Sequence, residues 1–241
     1  MLTFCVFSAS PALGNIIPRA DLTSRLDSNH QGINSYSVVV DLDGYDTSLR
    51  IWQHAENWRQ EWVSDSADGQ EVVAVAVGQG RFDLLSFGFD RSGPPITRII
   101  FENSAWWNKA GLDFDRQSYH FFHGRPVLAL GMAVTGNTGP QLWVDNEDMV
   151  PLRMVFSENQ TGLDLGWLEY KNIGNYRLPH KLIISGPGVK MTCNLEWRGI
   201  NSRYGENLFS RQYLEQTFSG ANLSPPDLVE DFYRVQTGLY K

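Results

Sequence analysis

The ten residues VKMTCNLEWR, Val189 to Arg198, alternate apolar and polar without a break. Successive side chains of a strand point to opposite faces. Val189, Met191, Cys193, Leu195 and Trp197 therefore share a dry face, while Lys190, Thr192, Asn194, Glu196 and Arg198 share a wet one. The same period of two returns in SYSVVVDL, SLRIWQH, NWRQEWVS, QEVVAVAV, RFDLLSF, RPVLALG, QLWVD, VPLRMVF, LDLGWLEY and PHKLIIS. Between these runs lie DLDGYD, SADGQ, GQG, TGNTGP, DNED, ENQTG and SGPG, rich in residues that accept positive φ or bond their own backbone. About ten short strands joined by tight turns predict one large antiparallel sheet, strongly curved or closed, because a flat open sheet leaves sticky edges.

Helices interrupt this rhythm in few places. RADLTSRLDS puts Leu22, Arg25 and Leu26 at helical spacing with Asp21 as the expected cap. SGPPITRIIFENSAWWNKAG admits one helix through Ile99, Phe101, Ala105, Trp106 and Ala110, started by Pro94 and Pro95 and ended by Gly111. Such an insert must plug an end of the sheet or cover its concave side, since its own apolar side needs burial. LFSRQYLEQTF and LVEDFYRV predict two short helices in the tail. With 241 residues and 42% hydrophobic content, the chain can bury one full core, so residues 15–220 are read as a single domain and 221–241 as a tail.

Charge and cysteine usage narrow the function. The net charge of -7 arises from 27 acidic and 20 basic residues spread along the chain, with no basic run to follow a phosphate backbone, which argues against nucleic acid as a partner. The uncharged start MLTFCVFSASPALG has the apolar and small-residue order of a clipped secretory signal (residues 1–14), with cleavage expected after Ala12 or Gly14; a buried N-terminal strand is the other reading. Leu2, Thr3 and Phe4 do not provide the small residue expected before a lipid-modified Cys5. Cys193 then stands alone, so an internal disulfide or a multi-cysteine zinc site is excluded.

His120 and His123 in HFFH fall on opposite faces of a strand and cannot share a metal. A Gly-x-Ser-x-Gly elbow, a Gly-x-Gly-x-x-Gly loop and a phosphate-binding loop are all missing, and no cofactor is implied. Asp145, Glu147 and Asp148 lie between two alternating runs, so DNED reads as the wet tip of a hairpin rather than as a catalytic or calcium site.

In its order of elements the chain resembles the LolA-like superfamily of periplasmic outer-membrane lipoprotein carriers. ADLTSRLDS followed by SYSVVVDL, the pair LRIWQHAENWRQEW, the hairpin VVAVAVGQGRFDLLSF, the hairpin LWVDNEDMVPLRMVF and the stretch GINSRYGENLFS carry the likeness, over roughly Ala20 to Ser210. The resemblance implies a mainly β fold, a curved antiparallel half-barrel with helices covering its concave face. It implies a periplasmic, non-enzymatic, monomeric carrier of lipoprotein acyl chains or another apolar lipid, with possible membrane-protein partners in the envelope. The best-known carriers have an Arg-Pro after the early strand whose arginine helps hold the closed state; here Gln53, His54 and Ala55 stand there, so that role does not carry over. Dry-face residues Leu163, Leu165, Trp167, Met191, Leu195 and Trp197 are the expected ligand lining, with Trp106 and Trp107 as lid residues; the same residues could equally form a packed core. Two rival functions remain: a sensor module of the same fold, and an envelope glycan hydrolase, suggested by the acidic balance and eight tryptophans, which needs a carboxylate pair facing a polar cleft.

Overall fold

The structure is a computed structural model and describes residues 16–67, 69–89, 93–131, 139–156 and 162–236. The expected signal region lies outside the described residues. In chain order the elements are α1 (Arg19–Ser28), β1 (Ser35–Leu42), β2 (Thr47–His54), β3 (Asn57–Ser66), β4 (Gly69–Gln79) and β5 (Phe82–Phe87). A 3-10 turn (Ile96–Phe101) and α2 (Ser104–Lys109) follow. Next come β6 (Gln117–Phe122), β7 (Arg125–Leu130), β8 (Gln141–Asp145), β9 (Pro151–Val155), β10 (Asp164–Leu168), β11 (Lys171–Ile173), β12 (Tyr176–Leu178), β13 (Lys181–Gly186) and β14 (Val189–Ile200). A second 3-10 turn (Glu206–Phe209), α3 (Arg211–Phe218) and α4 (Asp227–Gln236) complete the chain.

Twelve strands form one antiparallel sheet in the order β5-β4-β3-β2-β1-β14-β13-β10-β9-β8-β7-β6, so the sheet is open at β5 and β6 rather than closed. Two meanders are zipped together at the middle by β14, which pairs with β1 on one side and β13 on the other. The predicted alternation of β14 holds, with Val189, Met191, Cys193, Leu195 and Trp197 buried. The hairpin β11–β12 stands apart from the main sheet, and the period-two pattern did not announce it. The main core cluster collects residues of β1–β4, β7–β10, β13 and β14 together with α1, α2 and α4. One face of so wide a sheet meets itself around a common core only if the sheet curls, and that face is the concave one.

Three local expectations change. Pro18, not Asp21, stands at the N-cap position of α1, with no side-chain cap bond, and Asp21 sits in the first turn, where its charge complements the helix dipole. The single helix expected around Trp106 is two pieces, because Asn103 takes an extended backbone and accepts a bond from the Trp106 N–H as the cap of α2. In β9, Leu152 is the extra residue of a bulge opposite Trp143 and Val144. Val150 and Leu152 consequently pack with Val127 on the convex side, while Met154 and Phe156 join the concave core.

DNED is a hairpin turn as expected, but it is not wet throughout: Glu147 is exposed, whereas Asp145 is buried and its Oδ1 accepts from the Glu147 and Asp148 N–H groups at 2.9 and 3.1 Å. Asp148 also pairs with Arg177. At the other end, the sheet is tightened where Trp58 crosses Gly78. A methyl group at Gly78 would stand 2.0 Å from the Trp58 ring and 2.4 Å from the Phe82 carbonyl oxygen. Gly78→Ala is therefore expected to cost about 1–3 kcal/mol of stability in a denaturant titration, through a forced shift of Trp58; an unchanged midpoint would contradict this packing.

Candidate functional site

Strand register lays the concave face out as rows. Met191, Ile184, Leu165, Met154, Leu142 and Leu130 are successive partners across β14, β13, β10, β9, β8 and β7. Leu195, Val40, Leu49, Trp62 and Ala74 continue the face across β14, β1, β2, β3 and β4. A shorter row joins Trp167, Leu182, Cys193 and Leu42. Onto this face the covering segments press Leu22 of α1, Ile96, Ile99 and Ile100 of the first 3-10 turn, Trp107 of α2, then Leu112 and Phe114.

All eight residues named from the sequence meet here. Leu163, Leu165, Trp167, Met191, Leu195, Trp197 and Trp107 are buried in the one cluster, and Trp106 is half-buried against it. Trp107 stacks on Phe156 at 6.0 Å and meets Trp106 edge-on at 4.8 Å. The indole N–H groups are provided for: Trp197 donates to the Pro179 carbonyl at 2.7 Å and Trp167 to Met154 Sδ at 3.3 Å. In this arrangement the residues interdigitate as a core. Trp62, Phe89, Phe232 and Tyr233 belong to the same face but escaped the sequence reading; the 228, 229, 232, 233 spacing of the tail helix was the available signal.

Polar groups hold the cover at its rim. The Asp27 carboxylate accepts from Ser104 N–H at 2.6 Å and Ser104 Oγ at 2.8 Å, tying α1 to α2. Gln117 at the start of β6 brackets Ile17, accepting from its N–H at 3.0 Å and donating to its carbonyl at 2.8 Å. Asn29 donates to the Met149 carbonyl at 2.7 Å, anchoring the end of α1 on the DNED turn. The first 3-10 turn is pinned by Arg98, which reaches Glu56 at 2.8 Å and Glu102 at 3.3 Å. Beneath it Tyr36 Oη lies 3.2 Å from Thr97 Oγ1 and donates to Gln53 Oε1 at 2.9 Å. Gln53 thus orders a buried hydroxyl that touches the cover.

Cavities open elsewhere. One of about 280 Å³ lies at the rim beside Tyr36, Gln53, Arg98 and Glu102. Another of about 540 Å³ lies on the convex face, among Asp41, Asp46, Arg50, Trp52, Glu196 and Arg198. Burial first, then the neighbouring Glu196, raises the Asp41 carboxyl above its ordinary range. Among the described residues no three metal-ligating side chains converge. The Cys193 thiol is pushed up to about 12, chiefly by burial, and is a core group rather than a nucleophile.

His30, at the end of α1, meets the edge of Phe101 at 5.1 Å, and its Nε2 is buried without a hydrogen-bond partner among the described residues. Burial lowers its pKa to about 4, against 6.5 in the unfolded chain. Between those values the unfolded chain binds the extra proton, so stability is full above about pH 6.5 and falls as pH drops toward 4. The drop from pH 7 to 5 should therefore cost the wild type about 2 kcal/mol more than His30→Phe, as read by urea titrations at the two pH values; equal losses would contradict a buried neutral imidazole.

No family model and no curated protein matches the chain in sequence. Among solved structures it is similar to a domain from Vibrio parahaemolyticus named for outer membrane lipoprotein sorting (14% identity, TM-score 0.49, covering 81% of this chain and 97% of that one). It is likewise similar to a LolA superfamily protein from Nitrosomonas europaea (11% identity, TM-score 0.49, 82% and 100%). A DUF1329 family protein from Desulfovibrio piger follows at 12% identity and TM-score 0.44, covering 81% of this chain and 97% of that one.

Proposed function

We propose that the protein is a non-enzymatic carrier or binder of an apolar lipid, including the acyl chains of lipoproteins, acting in the periplasm after export. The supporting observation is the make-up of the cover: its inward side chains are apolar apart from Thr97, and its polar contacts with the sheet are few and separable, such as Arg98–Glu56 at the rim and the buried Tyr36–Thr97. A cover fixed this way can lift from the concave rows and be replaced by a ligand of the same polarity, since each buried CH2 gains about 0.8 kcal/mol. The candidate lining is Leu163, Leu165, Trp167, Met191, Leu195 and Trp197 with Trp106 and Trp107 above, and lipidated proteins and envelope membrane proteins are the partners this role requires. Among the described residues no helix is long and apolar enough to cross a membrane.

One observation favours a second reading. The convex cavity combines Trp52 with Asp41, Asp46 and Glu196, the carboxylates and aromatic platform that a glycan hydrolase would need. Release of reducing sugar from cell-wall glycan, lost in Asp41→Asn, would establish it.

The carrier reading is tested with a fluorescent fatty acid titrated into the full chain. Saturable binding is expected, and Tyr36→Phe should speed uptake about fivefold by removing one cover bond worth about 1 kcal/mol. A folded protein that takes up no probe would overturn the reading.

A further inference from the structure

The tail helix α4 occupies the concave face at the end farthest from β6. Leu228, Val229, Phe232 and Tyr233 form one buried stripe, while Glu230 and Arg234 are exposed on the other side. Phe232 meets Trp62 edge-on at 5.1 Å, and Tyr233 stacks on Phe89 at 4.8 Å. Trp62 Nε1 donates to Tyr233 Oη at 3.1 Å. The floor of this trough, Trp62 and Ala74, is the last stretch of the row that starts at Leu195. Ten helical residues span about 15 Å, so the space under α4 matches part of the length of an extended long acyl chain.

Attachment separates α4 from the rest of the cover. The α1–α2 layer is stitched by the Asp27–Ser104 and Gln117–Ile17 pairs and continues into strands on both sides. α4 packs on the sheet through apolar and aromatic side chains and accepts the bond from Trp62 at Tyr233, and a loop after α3 leads to it. Lifting α4 leaves every strand of the sheet paired.

We infer that the trough of Trp62, Ala74 and Phe89 is the acyl-chain entry site at the far end of the concave rows, and that α4 is its resident occupant, exchanged for the ligand on binding. This rests on the apolar-carrier reading and goes beyond it in locating the site and the gate. It also sets ligand chemistry. When Tyr233 leaves, the Trp62 N–H is stranded in an apolar trough, and a buried donor without an acceptor is costly. An acyl chain that brings an ester or acid carbonyl restores the bond; a plain alkane does not.

The test uses the full chain and a long-chain fatty acid methyl ester, with hydrogen exchange of residues 227–236 as the readout. On binding, α4 amides should lose protection while those of β3 and β4 keep it. Phe232→Ala should bind the ester about tenfold or more tightly, because the competent population is larger. An alkane of equal length should bind about fivefold more weakly than the ester, a preference absent in Trp62→Phe. Ester binding by both proteins, tighter in Phe232→Ala, supports the exchange; binding by Phe232→Ala alone overturns it, because α4 of the wild type is then a fixed part of the core. Saturable wild-type binding with α4 fully protected and Phe232→Ala unchanged overturns it and leaves the carrier reading standing. Failure of both proteins to bind, with sheet protection native, sinks the two together.

Discussion

Everything in this molecule follows from the need to dry one face of a twelve-stranded sheet whose two edges never meet. Four strands to one side of β14 (β1–β4) and five to the other (β13, β10, β9, β8 and β7) carry apolar side chains on a common face, and water must be kept from all of them. A closed barrel would achieve this with the sheet alone. An open one must borrow side chains from elsewhere, and the borrowed elements are the N-terminal helix, the segment linking β5 to β6, and the C-terminal helix.

That solution makes the interior of the half-barrel conditional. The sheet is held by backbone hydrogen bonds along every strand pair, whereas the cover adds apolar burial and a few polar rim contacts, each worth about 1 kcal/mol net. Breaking the rim contacts exposes apolar surface, so the closed arrangement is favoured in water and an apolar ligand is the natural replacement for what the cover supplies. A packed core and a lipid site are then two occupancies of the same rows.

Much of this was legible in the sequence because period-two alternation reports directly on a sheet with one dry face. VKMTCNLEWR lies at the centre of the sheet, with the burial its pattern required. The DNED carboxylates turned out to be turn groups, since Asp145 is consumed by its own backbone. What the pattern missed was decided by tertiary packing. The bulge at Leu152 reverses faces without changing the look of VPLRMVF. The break at Asn103 depends on capping the Trp106 N–H, and α1 starts before Asp21, behind Pro18, whose fixed φ suits a helix start. The eight candidate residues converge as a dry-face reading requires, yet their grouping gives no indication of which end of the face a ligand would enter. That information resides in Trp62 and Phe89, whose partner is a helix about 170 and 140 residues further on, a pairing no local period reveals.

The central claim, that an apolar ligand lies against the concave rows, is tested most directly by irradiating the full chain with a photoreactive fatty acid and mapping the adducts by mass spectrometry. Adducts on concave residues such as Trp62, Phe89, Leu165 or Trp107, abolished by excess unlabelled fatty acid, are the expected result. Adducts confined to the convex groove around Trp52, or labelling that excess fatty acid does not suppress, would contradict it.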